Sequence, residues 1–257
     1  VLRFRANWYC GTELEPALGI GAFAEKTLVA AGQCTRIEGD MDRDQYAAVG
    51  LLGCGITAGI GAALNTGAVR RGESVAVIGC GGVGVAAVAG AALAGATTVI
   101  AVDVDGQKLA AAERQAFVAE RGDDGVARVR ELTDGLGAHS VIEAVGTQGS
   151  MMQAIRSTRP GGHVGYVGVS HDVQLPGDEL FFGLIHLHGG PAPVRRFLPD
   201  LVRRIWDREI DPGKVFDRVL PLEEAAEAYR LMDQREAVKV MLRPVSYTHL
   251  TLPTTPY

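Results

Sequence analysis

The chain has 257 residues, with 25 lysines and arginines against 30 aspartates and glutamates, for a formal net charge of −5. That balance excludes a nucleic-acid binder working through a basic surface. The length allows one large domain or two modest ones, with a core that needs no disulfides. Glycine is in excess at 34 of 257 residues, where about 7% is usual. With no G-X-Y period and only 11 prolines, collagen-like and low-complexity chains are excluded.

The excess is concentrated in residues 46–102, whose charges are Arg70, Arg71 and Glu73. Within it, 45–69 and 74–102 are uncharged and long enough for bilayer spans of ~20 residues. Hydropathy alone therefore reads as a two-helix membrane hairpin. Gly, Ala and Thr dominate over Leu and Phe, and the glycines fall where a soluble βαβ unit wants them, so no membrane partner is expected. Cys10, Cys34, Cys54 and Cys80 are widely spaced with no C-x-x-C pair, which points to a reducing, cytoplasmic setting. Val1 is followed by no apolar signal-peptide core, and the chain is read as starting inside a longer product.

In chain order, the β-branched run 75–79 predicts a strand and the alanine-rich 83–93 a helix stopped by Gly95. Residues 98–102 predict a buried strand closed by Asp103, 107–120 a helix, 125–132 a short helix and 140–145 a strand. A helix over 149–158, a Pro160-Gly161-Gly162 turn and a strand over 163–169 follow. Strands alternating with helices predict an α/β fold, a doubly wound parallel sheet. Residues 194–206 predict an amphipathic helix with Phe197, Leu198, Leu201, Val202 and Ile205 on one face. After Asp211-Pro212-Gly213, strand 215–220, helix 223–232 and strand 237–242 read as a segment returning to another domain. The last thirteen residues (VSYTHLTLPTTPY, 245–257) resemble a translated sequencing-library adaptor and are expected to be non-native.

Gly79-Cys80-Gly81-Gly82-Val83-Gly84 is a G-x-G-x-x-G that follows a predicted strand and opens a predicted helix. Gly79 permits the tight turn, Gly81 the approach of a pyrophosphate, and Gly84 close helix–strand packing, with the helix N-terminus facing the phosphates. Asp103, nineteen residues after Gly84, ends the next strand, where a carboxylate accepts hydrogen bonds from an adenosine ribose. An acid there repels a 2′-phosphate, so NAD is favoured over NADP.

These residues, with Gly53-Cys54-Gly55 upstream, resemble the medium-chain zinc-dependent alcohol dehydrogenase family. GTELEPALGIGAFAEKTLVAAGQCT (11–35) is similar to its thiol-linked, mycothiol or glutathione formaldehyde dehydrogenase branch. Residues from about 113 to 244, including PGGHVGYVGV and GGPAPVRRFLPDL, are more similar to another branch, so a join near residue 112 is expected.

The resemblance implies a Rossmann domain over 55–191, partial GroES-like, mainly β catalytic segments at 1–54 and 192–244, and an N-terminally truncated whole. It implies Cys54 as a catalytic zinc ligand, Asp103 and Lys108 at the adenosine ribose, and Val145 and Gly146 beside the nicotinamide ribose. It also implies Val167, Gly168 and Val169 at the carboxamide, and Lys239 where the family often has a pyrophosphate-binding arginine. The implied function is hydride transfer between an alcohol or thiol–formaldehyde adduct and NAD at zinc, in a homo-oligomer. Alternatives are a zinc-free enone or quinone reductase and a non-catalytic NAD-binding fragment.

The family's first zinc cysteine and its Gly-His-Glu segment are not recognisable, and Cys10 is assigned no role. The family usually has a Phe-Gly-Ala turn and a third strand between the positions of Asp103 and Val141; here the turn is missing and 115–120 must act as helix end and strand together, weakening that sheet edge. His163, His171, His186 and His188 read as packing or exposed histidines, and Cys34 and Cys80 as buried inert thiols. Glu143, mid-strand in an apolar setting, is read as tuning a site or, in preference, as a satisfied structural carboxylate, and Arg195, Arg196, Arg203 and Arg204 as a solvated helix face.

Overall fold

The computed structural model describes residues 7–9, 12–14, 26–39, 41–113, 118–121 and 125–244. Cys10, residues 114–117 and the adaptor-like tail lie outside the described residues. The chain divides into two compact units, one of residues 1–38 with 216–257, the other of residues 39–215.

In the first unit, β1 (Asn7–Tyr9) and β2 (Thr12–Leu14) pair antiparallel. The larger unit opens with α1 (Arg43–Gly50), which Asp42 and Gln45 start with a reciprocal capping box. A 3-10 turn leads through Cys54 into α2 (Gly55–Gly61), which runs on into a π-helical turn, Ala62–Thr66. β3 (Ser74–Ile78), α3 (Gly82–Leu93), β4 (Thr98–Asp103) and α4 (Gly106–Glu113) follow. Next come β5 (Val118–Arg121), α5 (Gly125–Glu131), β6 (Ala138–Glu143), α6 (Gln148–Ser157) and β7 (Thr158–Tyr166). The unit ends with α7 (Gly177–Phe182), β8 (His186–Gly189) and α8 (Val194–Trp206). Back in the first unit, β9 (Arg218–Pro221), α9 (Ala225–Asp233) and β10 (Val240–Arg243) form a small parallel β–α–β piece around Ala228, Ala237 and Val240.

The expected doubly wound fold is present. Six parallel strands lie in the order β5-β4-β3-β6-β7-β8, so the chain reverses direction across the sheet at β3. Every residue of β3 is buried, as a strand covered on both faces requires. Its side chains alternate: Val75 and Val77 join the core beneath α3, while Ala76 and Ile78 join the core beneath α5 and α6.

The apolar stretches that read as a membrane hairpin are core elements. Residues 74–102 are strand, helix and strand, and 44–53 and 55–66 are helical pieces set 68° apart. No single helix among the described residues is long and apolar enough to cross a membrane. Glycine here serves packing. A methyl on Gly59 would fall 2.6 Å from Ala86 Cβ, and one on Gly90 would fall 2.9 Å from Ile60 Cα. Only glycine lets α2 and α3 approach backbone to backbone.

Two expectations change. The helix predicted over 107–120 stops at Glu113, and 118–121 pair with β4 from Ile100↔Val118 to Asp103↔Arg121. The strand part of that stretch is therefore present, because hydrogen bonding to an existing edge overrides the helical preference of Ala and Glu. The Pro160-Gly161-Gly162 turn is an irregularity inside β7: Ala138 pairs with Thr158, yet Ser140 pairs with His163. The boundaries expected at 54/55 and 191/192 both fall within the larger unit, because α1, α2 and α8 share one core. Leu52, Ile56 and Ile60 pack there with Leu201, Ile205, Phe197, Leu198 and Val202, the face read from the sequence of α8.

Candidate functional site

The site lies where the parallel strands end, on either side of the point where chain direction reverses. Sheets of this kind open a crevice there.

Gly79 leaves β3 at φ +90, and a methyl on it would fall 2.5 Å from Val145 Cγ2. Gly84 lies directly against the Gly79 carbonyl, so a methyl on Gly84 has no room; its role is helix–strand packing. Gly81 differs. It caps α3 without a side-chain hydrogen bond, its φ is an ordinary −67, and a methyl on it would meet nothing within 4 Å. The first N–H groups of α3, on Gly82, Val83 and Gly84, have no helical acceptor and stand next to Gly81 at the positive end of a twelve-residue helix. The arrangement fits a pyrophosphate, which needs donors and room but no side chain.

Asp103 stands at the end of β4 beside this turn. Its Oδ2 accepts the Cys80 N–H at 2.7 Å and its Oδ1 accepts the Asp105 N–H at 2.9 Å. The carboxylate is thus held in place, and each oxygen keeps a lone pair for a ribose hydroxyl. Lys108 is half-buried in the first turn of α4 and close enough to act on the Cys80 thiol.

Cys80 itself is fully buried. Burial first, and the Asp103 charge second, push its thiol from an ordinary value near 9.0 up to about 12, with Lys108 opposing. At pH near 8, iodoacetamide should modify the exposed Cys34 and Cys54 and spare Cys80 until the chain unfolds, as peptide mapping would read. A raised folded-state value also has a sign. The stability linked to this thiol is full below about pH 9 and is lost as pH rises towards 12. Cys34 was expected buried and is exposed, because residues 26–39 form an open stretch with one 3-10 turn.

On the other side of β3, the turns after β6 and β7 lie against each other. Gly146 is at φ +90, and a methyl on it would fall 2.6 Å from the Val169 carbonyl oxygen. Val167 and Gly168 donate their N–H groups to the Glu143 carbonyl at 2.8 and 3.2 Å. Val145 is 50% exposed and Val169 74% exposed, leaving two apolar side chains open to solvent at the strand ends. A cleft of about 120 Å³ beside Val167 is lined by Ala58, Thr66, Arg196 and Phe197 among others. It is too small for a dinucleotide.

Cys54 sits exposed at the break between the 3-10 turn and α2. Among the described residues, no group of three or more His, Cys, Asp or Glu could hold a metal ion. Cys54 offers one thiolate, and the described residues do not complete a zinc site around it. Lys239 belongs to the smaller unit, where it is exposed and its N–H donates to Asp217 at 3.1 Å.

The minor candidates sort as follows. Arg203 and Arg204 form surface ion pairs with Asp200, Asp207 and Glu209. The ring of His163 stacks on His186 at 4.6 Å between centroids. Burial, His186 and Arg70 hold the pKa of His163 below the usual histidine range. Two residues escaped notice or weight. His139 bridges the Ser74 hydroxyl and the Arg159 guanidinium, a pairing invisible along the chain. Glu143 is completely buried and accepts the N–H groups of Val145 and Gly146, each at 2.8 Å. The available signal for it was an acid in an apolar strand three residues before a glycine.

Residues 82–200 match the zinc-binding dehydrogenase family model. A probable zinc-binding alcohol dehydrogenase of Mycobacterium tuberculosis is 39% identical over 184 residues, covering 69% of this chain and 47% of that protein. The S-(hydroxymethyl)glutathione dehydrogenase of Haemophilus influenzae is 28% identical over 244 residues, covering 91% of this chain and 64% of that one. Among solved structures, the alcohol dehydrogenase TADH from Thermus sp. ATN1 superposes with a TM-score of 0.73 at 30% identity, over 76% of this chain and 58% of that one. The chain therefore spans about half to two thirds of the length of the curated relatives it matches. On sequence and fold together, the part of the chain that matches is similar to zinc-dependent alcohol dehydrogenases.

Proposed function

We propose that the chain carries the cofactor-binding part of an NAD-dependent alcohol dehydrogenase that moves a hydride between NAD and an alcohol or thiol–formaldehyde adduct. The observation that carries this reading is the open backbone at Gly81, at the start of α3 and beside Asp103. Bound NAD supplies a nicotinamide ring that accepts or returns hydride. The chain's own residues do the holding. The N–H groups at the start of α3 take the pyrophosphate. Asp103 takes the adenosine ribose and repels a 2′-phosphate, and Lys108 adds a positive charge beside it. The turns at Val145–Gly146 and Val167–Val169 give the nicotinamide a backbone edge and two apolar side chains that shed water.

The thiol–formaldehyde branch is favoured by residues 11–35 and by the activity named for the H. influenzae relative. Cys54 is read as one thiolate ligand of zinc, its companions coming from outside the described residues, and nothing above depends on a metal. A small-molecule alcohol substrate, a homo-oligomeric assembly and a cytoplasmic setting complete the reading. A second reading, NAD binding without turnover, is favoured by Cys54 standing without companion ligands among the described residues.

A fluorescence titration with NADH, alongside zinc analysis and an assay for alcohol-dependent NADH formation, tests both. Saturable NADH binding is expected under either reading, and turnover with stoichiometric zinc only under the first. Absence of NADH binding would overturn both.

A further inference from the structure

We infer that Glu143 is a positioning residue for the nicotinamide half of the cofactor, an assignment that rests on the NAD-binding reading above. β6 and β7 pair only as far as Glu143↔Tyr166. Beyond that register no ladder holds the two turns that follow, and Glu143 takes over from both ends. Its carbonyl oxygen accepts Val167 and Gly168 of the second turn, while its side-chain Oε1 accepts Val145 and Gly146 of the first. One residue therefore sets the spacing between the two backbone segments that flank the proposed nicotinamide site.

The side chain is enclosed, with 0% relative exposure. Its Oε2 has no hydrogen-bond partner, and a methyl on Gly168 would fall 2.7 Å from that oxygen. Gly168 thus leaves the room that the carboxylate fills. A carboxylate serving only to satisfy the interior would pair both oxygens. One that spends a single oxygen on two adjacent amides is set by the geometry of that turn. The adenosine half, at Gly81 and Asp103, touches none of these bonds.

The experiment compares NADH with ADP-ribose, which lacks the nicotinamide, by calorimetry on the full chain. In Glu143→Ala the two turn amides lose their acceptor, and NADH should bind about tenfold or more weakly while ADP-ribose stays within about twofold of wild type. Glu143→Gln keeps a carbonyl oxygen for both amides and should restore NADH binding to within about threefold. Glu143→Asp keeps the charge but cannot reach, and it should behave like alanine; it carries the test if the alanine variant does not fold. Equal weakening of both ligands, or unchanged NADH binding, would overturn the assignment and leave NAD binding intact. Failure of the wild-type chain to bind either ligand would instead sink the NAD reading, and this inference with it.

Discussion

Replacing Asp103 with alanine is expected to weaken NADH binding by about 10- to 100-fold, the equivalent of ~1.5–3 kcal/mol for hydrogen bonds to a charged group. NADPH should bind as well as before or better, because the charge that repels a 2′-phosphate is gone. The substitution also frees the Cys80 and Asp105 amides that the carboxylate now accepts at 2.7 and 2.9 Å, so part of the loss could come from the turn relaxing. Asp103→Asn separates the two causes. It keeps one oxygen acceptor but no charge, and it should relax the discrimination against NADPH while costing less stability than alanine. Parallel titrations with both cofactors and a thermal melt give the answer. Unchanged affinities for NADH and NADPH would remove Asp103 from the cofactor site.

Gly81→Ala and Gly84→Ala are expected to fail in opposite ways. A methyl on Gly81 meets nothing within 4 Å, and its φ of −67 suits alanine. Alanine in place of glycine at a helix N-cap costs roughly a few tenths to 1 kcal/mol, so the melting temperature should move little. The methyl would occupy the space left for the pyrophosphate, and NADH affinity should fall about tenfold or more. Gly84 has the reverse balance. Its methyl would collide with the Gly79 carbonyl, which cannot retreat without breaking the β3–α3 turn. Overpacking of this kind costs about 1–3 kcal/mol and often more against backbone, so Gly84→Ala should lower the melting temperature by several degrees before any ligand is added. Wild-type NADH binding by Gly81→Ala would show that the open space is not the phosphate site.

The glycine turn and the elements around it are legible along the chain. The strand, glycine turn, helix and next strand from Ser74 to Asp103 are consecutive, and the pairing of β3 with β4 and the Cys80–Asp103 hydrogen bond lie within about thirty residues. Period-2 and helical patterns, three glycines and one acid at fixed spacing are local facts, and they appear at their expected places. The other half was not legible. β5 looked like a helix end, because four residues of an edge strand carry little pattern of their own and take their conformation from β4. The apolar face of α8 is evident along the chain, but which partner covers it is not, since α1 and α2 lie some 140 residues earlier.

Glu143 shows the limit most sharply. As an acid among valines and isoleucines it read as a satisfied interior carboxylate, and half of its bonding can be traced to amides two and three residues on. What no linear reading could supply is that the same residue grips Val167 and Gly168 across the β6–β7 boundary and leaves Oε2 unpaired. The same holds for the His163–His186 stack and the backbone contact of Gly59 with α3.

The sequence by itself determined the α/β class, the glycine turn and the acid that pairs with it, since hydrophobic period and backbone freedom act between near neighbours. Only the tertiary structure decided that the glycine excess also packs α2 on α3, that a third strand completes the sheet beside β4, and that one buried carboxylate joins two strand ends. Those depend on which distant segments meet, and that is set by the burial of faces too far apart in the chain for any local pattern to pair.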